Sequence, residues 1–276
     1  FDNYFFPYAM IREPNIIKAD LFRQLRKIWG NVSSPEEIIK ALDEYTSDVE
    51  FIFHLAGENR PISDKSFEIV NVGLTRKLVS SLKKNNNKSP IIFSSSIQAV
   101  DSSPYGESKF EAEKILWNIS TKTGLEVVVV RLPLVYGTSA PANLKRLIKL
   151  ISTGLPLPFS LINNQRSLIG IDNLVDVILR CIDHPNAKNK TFLVSDDEDL
   201  STPDLIKLIA TKMGRSVRLF PVPIAWLKFF SFFIGRQSDI DRLTGSLQVD
   251  TEYTKKILDW KPSVSVSEGI KRMLSC

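Results

Sequence analysis

The sequence predicts an α/β fold: a parallel sheet with helices on both faces, followed by a smaller C-terminal lobe. Three observations carry this reading. Strand-like and helix-like stretches alternate through the first half of the chain. The run Glu126-Val127-Val128-Val129-Val130 is apolar and β-branched after its first residue, as a strand buried on both faces requires. After Arg131 the elements shorten and are separated by prolines and polar turns, which suits a lobe whose segments return to the main sheet.

Each element has its own signal. Residues 4–11 read as a strand. Ser34-Pro35-Glu36-Glu37 combines an N-cap, a proline at the first helical position and an acidic first turn, and predicts a helix to about residue 45. Asp48 leads into a strand over 49–55, and a helix follows over 67–84. The strand 90–94 ends in hydroxyls, and the helix opened by Tyr105 runs to about residue 123, where Gly124 stops it. Beyond it, helices are expected over 143–152, 174–182 and 203–212, and strands over 167–169 and 191–194. Ser201-Thr202-Pro203 is a second capping start.

Composition narrows the class. Hydrophobic content of 43% and charged content of 24% describe a soluble globular protein. The net charge of +5 is dispersed, and its densest patch, Lys83 to Lys88, reads as a solvated loop after a helix C-terminus, so nucleic acid is not an expected partner. Two cysteines, Cys181 and Cys276, give no disulfide framework, fit a reducing compartment and imply a cytoplasmic setting. Cys181 falls in an apolar helix and reads as core. His54 and His184 are the only histidines, so no metal site is expected. The most apolar stretch, 224–234, is too short to span a bilayer; it reads as a buried or interface helix, with shallow membrane association as the lesser reading.

The chemistry concentrates between Ser94 and Lys109. Ser94-Ser95-Ser96 closes an apolar strand, and Tyr105-Gly106-Glu107-Ser108-Lys109 opens a helix. Positions four apart share a helix face, which sets Lys109 beside Tyr105. An ammonium at that distance is expected to lower the phenol pKa. A serine hydroxyl from the strand end can complete a proton relay to a substrate oxygen.

These motifs resemble the extended short-chain dehydrogenase/reductase family, in particular its nucleotide-sugar epimerases, dehydratases and reductases. Further segments match in order. Gly30-Asn31-Val32 resembles the family's adenine-contact turn, with Asn31 in place of an acidic residue. Phe53-His54-Leu55-Ala56-Gly57 resembles the strand end that passes under the cofactor, and Glu58-Asn59-Arg60-Pro61 looks like the amino-sugar reductases. Asn71 matches an asparagine that holds backbone near the active site. Arg131-Leu132-Pro133-Leu134-Val135-Tyr136-Gly137 resembles a segment beside the nicotinamide, with Leu134 where an asparagine is usual. Asn143, Arg166 and Arg242 are similar to contacts for the sugar diphosphate, and Asp172 reads as the cap of the next helix. Asp250 to Pro262 resembles the family's terminal signature.

The resemblance implies a Rossmann-type doubly wound sheet lacking its first βα unit, with residues 1–137 as an incomplete dinucleotide-binding domain and 138–276 mostly as a substrate-binding α+β lobe. No Gly-x-x-Gly-x-x-Gly turn is present. Two explanations stand: an N-terminal fragment, or a natural chain that has lost dinucleotide binding. The resemblance also implies NAD or NADP as cofactor, a UDP-sugar substrate and a homodimer. It makes Ser96, Tyr105 and Lys109 catalytic. Arg12, Asn31, Val32, Leu55, Ala56, Gly57, Asn71, Ser94 and Pro133 join Tyr105 and Lys109 around the cofactor, and Ser96, Asn143, Arg166 and Arg242 meet the substrate. Only eight residues separate Ser96 from Tyr105, which favours a 4-keto reductase of a UDP-2-acetamido-6-deoxy sugar over a UDP-hexose 4-epimerase; a non-catalytic scaffold is the third reading.

Overall fold

The computed structural model describes residues 8–11, 51–55, 57–58, 64–137, 142–233 and 235–275. Its strands are β1 (Tyr8–Ile11), β2 (Phe51–His54), β3 (Ile91–Ser96), β4 (Val127–Leu132), β5 (Leu134–Tyr136), β6 (Leu168–Gly170) and β7 (Lys190–Leu193). Its longer helices are α1 (Gly73–Lys84), α2 (Pro104–Thr123), α3 (Ala142–Ser152), α4 (Ile171–Asp183), α5 (Thr202–Lys212), α6 (Ile224–Phe233), α7 (Gln237–Thr244), α8 (Glu252–Leu258) and α9 (Val266–Leu274). The chain divides into two compact units, Phe1–Arg131 with Cys181–Phe192, and Leu132–Arg180 with Leu193–Cys276.

The first unit holds a five-stranded sheet in the order β1-β2-β3-β4-β7. β2 and β3 are parallel, with Phe53 opposite Ile92. The expected all-parallel arrangement fails at one edge: β1 runs antiparallel to β2, with Tyr8 opposite His54. Either direction satisfies an edge strand's backbone groups, and the antiparallel one imposes no right-handed crossover. Ile52, Ile91, Phe93, Val127 and Val129 bury one sheet face against Leu78 and Leu82 of α1 and Leu116 and Ile119 of α2. The valine run is buried throughout, as its composition demands.

α2 has both ends specified locally. The Ser103 hydroxyl accepts the Gly106 N–H at 3.0 Å, and Pro104 occupies the first turn. Gly124 closes the helix at φ +73° and donates to the Ser120 carbonyl at 2.9 Å. The helix expected over 67–84 is not uniformly α-helical. A short turn, Asp64–Phe67, passes through a π-helical turn, Glu68–Val72, before α1 begins.

The second unit pairs β5 with β6 in parallel, Leu134 opposite Leu168. Its core joins Tyr136, Leu144, Leu147, Ile206, Ile209 and Ile270. Two expectations change here. Asp172 does not cap α4 but lies inside its first turn, where its carboxylate accepts a bond from Arg272 at 2.8 Å. The aromatic stretch over 224–234 is not buried: α6 turns most of its rings to solvent. Its buried stripe is too narrow for the rest, since only Ile224 and Leu227 pack on the core and Ser231 is the one buried residue of the helix.

Candidate active site

The site is built where β3 meets α2. Ser96 ends the strand and caps the 3-10 turn Ile97–Val100, its hydroxyl accepting the Gln98 N–H at 3.1 Å. That bond occupies an acceptor site and leaves the hydroxyl hydrogen for a partner at the start of α2, where Tyr105 lies. The turn can lie against the helix start because residue 106 is glycine: a Cβ there would overlap the Gln98 carbonyl and the Asp101 carboxylate.

Tyr105 is partly buried, and its ring lies 5.6 Å from that of Phe67. Burial raises the phenol pKa above its ordinary value, and the Ser96 hydrogen bond opposes the rise. The expected lowering of this pKa by Lys109 is therefore not what the site displays, because desolvation outweighs the stabilisation of the phenolate. Lys109 is itself buried, and burial brings its ammonium down from 10.5 to about 8 against the pull of Glu113. Its Nζ donates to the Ser94 carbonyl at 3.0 Å and stands 5.0 Å from the Phe93 ring centre.

Gly57 completes the floor. A Cβ at this position would come 2.8 Å from Lys109 Nζ and 3.3 Å from Asn71 Oδ1. Backbone, ammonium and amide approach here as only a glycine permits. Asn71, on the π-helical turn, uses both amide hydrogens, one on Ser108 Oγ at 2.8 Å and one on the Glu58 carbonyl at 3.2 Å. Its oxygen accepts the Glu58 N–H at 2.7 Å. Ser108 in turn donates to the Tyr105 carbonyl at 2.7 Å. Asn71 thus fastens the segment after β2 to the helix that carries Tyr105. The Asn71 carbonyl accepts from Thr75 Oγ1 at 2.8 Å, and Thr75 Oγ1 lies 2.7 Å from His54 Nε2. Since Thr75 donates to Asn71, His54 donates to Thr75 and carries its proton on Nε2. His54 is a structural group, as its fully buried position also requires.

Sequence reasoning missed Glu113. It is buried one helical turn beyond Lys109 and accepts from Ser95 Oγ at 2.5 Å. It also receives both prongs of the Arg131 guanidinium, at 2.9 and 2.7 Å. The bidentate pair raises the Arg131 pKa. The spacing Lys109 to Glu113 was the available signal, because it continues the helix face on which Tyr105 and Lys109 sit.

The other expected residues are placed as follows. Leu55 follows β2 and is part-exposed, Ser94 is half-buried on β3, and Pro133 is buried between β4 and β5. Asn143 is half-buried in the first turn of α3. In the second unit Arg166 donates to the carbonyl of Arg242, so these two residues are adjacent. Burial, then the charge of Arg242, lowers the Arg166 pKa. Arg12, Asn31, Val32 and Ala56, together with Gly30 and the helix expected near residue 34, lie outside the described residues.

A family model described as "NAD dependent epimerase/dehydratase family" matches residues 9–195. The chain belongs to that family. Its relatives include a UDP-glucose 4-epimerase of Vibrio cholerae, 40% identical over 209 residues, 74% of this chain and 64% of that protein. A UDP-2-acetamido-2,6-beta-L-arabino-hexul-4-ose reductase of Pseudomonas aeruginosa is 30% identical over 174 residues, 62% of this chain and 47% of that protein. The matched stretch thus spans about half to two thirds of these relatives' length. Among solved structures, the UDP-glucuronic acid 4-epimerase of Bacillus cereus superimposes with a TM-score of 0.70 at 18% identity, covering 93% of this chain and 86% of that one. At that identity the likeness establishes the Rossmann-type fold. The family is described as NAD dependent, and these two relatives are a nucleotide-sugar epimerase and a nucleotide-sugar reductase.

Proposed function

We propose that this chain carries the C4 oxidoreduction site of a UDP-linked sugar enzyme, and that its reaction is reduction of a 4-keto group on a 2-acetamido-6-deoxy sugar. The observation that carries the reading is the placement of Tyr105 and the buried Lys109 on one helix face, at the end of the strand that carries Ser96. A phenol whose pKa is raised holds its proton at neutral pH and is ready to give it to a carbonyl oxygen that is becoming an alkoxide. Ser96 orients that oxygen and strengthens as a donor when charge develops on it. Lys109, fixed by the Ser94 carbonyl, follows Tyr105 one turn along the same helix face.

A nicotinamide cofactor, when bound, would supply the hydride. Leu55, Gly57, Ser94, Tyr105 and Lys109 would hold its ribose end, with Gly57 letting the Lys109 ammonium come against the backbone. Pro133 is assigned to the nicotinamide side. Arg166, Arg242 and Asn143 would meet the substrate diphosphate, where a planar guanidinium suits phosphate oxygens. The second reading, a UDP-hexose 4-epimerase, is favoured by the 40% identity to the Vibrio cholerae protein.

Product analysis separates the two. With reduced nicotinamide and a UDP-4-keto-6-deoxy amino sugar, the reductase consumes one cofactor per sugar. With UDP-glucose or UDP-N-acetylglucosamine, an epimerase interconverts C4 isomers with no added reductant. Turnover only in the second assay overturns the reductase assignment, and turnover in neither overturns C4 chemistry for this chain.

A further inference from the structure

We propose that α6 docks the second unit on an anionic phospholipid surface. The helix is ten residues long, about 15 Å, and lies in place through Ile224 and Leu227, which pack on the core. Trp226, Phe229, Phe230, Phe232 and Phe233 project the other way, each more than half exposed. Their rings touch at centroid separations of 4.9 to 6.3 Å, Trp226 stacked on Phe230 and the other pairs edge to face, forming one continuous aromatic patch. Phe220 adds a further part-exposed ring on the approach to the helix. An apolar surface of this kind on a folded unit marks a place that something else covers.

Charge identifies the cover. Between residues 205 and 238 the sequence has six cations, Lys207, Lys212, Arg215, Arg218, Lys228 and Arg236, and no acidic residue. Lys207, Lys228 and Arg236 meet Asp204, Asp241 and Asp239 at 3.5, 2.9 and 3.5 Å. Among the described residues, Lys212, Arg215 and Arg218 meet no carboxylate. These three fall at the end of α5 and on the segment that leads into α6, so a second copy docking two-fold through α6 would bring this cationic segment toward its own copy. An anionic bilayer complements the charge, accepts aromatic side chains at headgroup depth, and makes no demand for shape. No described helix is long and apolar enough to cross a membrane. The helix therefore lies in the interface plane, aromatic face down.

The test is co-sedimentation of the 276-residue chain with vesicles of phosphatidylglycerol and phosphatidylethanolamine, and with vesicles of phosphatidylcholine alone. Binding to the anionic vesicles is expected to exceed binding to the neutral ones and to weaken with salt. F232S/F233S should cut the partition coefficient about tenfold or more, because both rings are exposed and their loss leaves the core intact. R215E/R218E should remove the preference for anionic lipid while leaving the circular dichroism spectrum unchanged. Absence of binding to anionic vesicles overturns the proposal. So does equal binding by F232S/F233S, or a dimer in solution that this double substitution dissociates.

Discussion

Each unit holds a tyrosine in a polar network, and the two are prepared for opposite ends. Tyr105 has a serine hydroxyl as the group that favours its ionised form, and stands one helical turn from a buried ammonium. Tyr136 donates to the Asp196 carboxylate at 2.6 Å. Asp196 also accepts from the Gly170 N–H at 2.9 Å and from Asn173 Nδ2 at 2.7 Å. Burial and the neighbouring carboxylates drive the Tyr136 pKa far up, so this phenol never ionises. Gly170 and Gly269 let the ring pack against bare backbone: a Cβ at 269 would come 2.7 Å from its hydroxyl. A carboxylate partner makes a tyrosine a fixed strut, whereas a hydroxyl partner leaves its proton transferable. The first unit has a buried carboxylate too, but Glu113 is engaged by Arg131 and Ser95.

Substitution of both tyrosines breaks the comparison most directly. Tyr105→Phe should lower kcat by about 10²–10⁴-fold with the melting temperature little changed. Tyr136→Phe should do the reverse, costing about 1–2 kcal/mol in chemical denaturation while kcat stays within a few-fold. Equal activity losses in the two variants would contradict the division of roles. Glu113→Gln sharpens it by leaving the Arg131 cation without its counter-charge. A loss of about 3 kcal/mol in unfolding free energy is expected from a group this buried. An unfolding midpoint that does not move would show the pair to be solvated.

Lys109 gives the comparison a pH signature. Its folded-state pKa of about 8 lies below the free value of 10.5, so between them the unfolded chain binds more protons. The cost of burying the ammonium is fully present below about 8, and stability rises with pH from there to about 10.5. Lys109→Met should remove that rise, seen as a flatter melting temperature across the window; an unchanged slope would assign it to other groups. The smallest effect belongs to the second unit. Asp259 follows α8 in the left-handed region at φ +46°. Glycine avoids the strain, and Asp259→Gly should raise stability by about 0.5–1 kcal/mol in denaturant titration. A loss would mean the aspartate side chain contributes more than its backbone costs.

The alternation of elements, the buried valine strand and the Ser96, Tyr105 and Lys109 constellation were legible because each depends on local spacing. The capping of α2 by Ser103 and Gly124 was legible for the same reason. The direction of β1 was not, since an edge strand's polarity leaves no mark in four residues. Burial of Lys109 was also hidden: a lysine on a helix looks solvated until the Phe93 ring and the Gly57 backbone close over it. The exposure of α6 ran against its composition, because a largely apolar helix reads as core. Gly106 was visible as a letter in the motif, but its necessity lies in the Gln98 carbonyl that comes against it.

The π-helical turn at Glu68–Val72 has one more consequence. Such a turn is an ordinary helix carrying one extra residue. Losing a single codon there would restore the regular winding and swing Asn71 round by about 100°, away from Glu58 and Ser108. Leu78, Val79 and Leu82 of α1 would keep their places in the apolar core. A lineage could therefore dismantle this network in one reading-frame-preserving step, and the descendant would still carry Ser96, Tyr105 and Lys109 in its sequence.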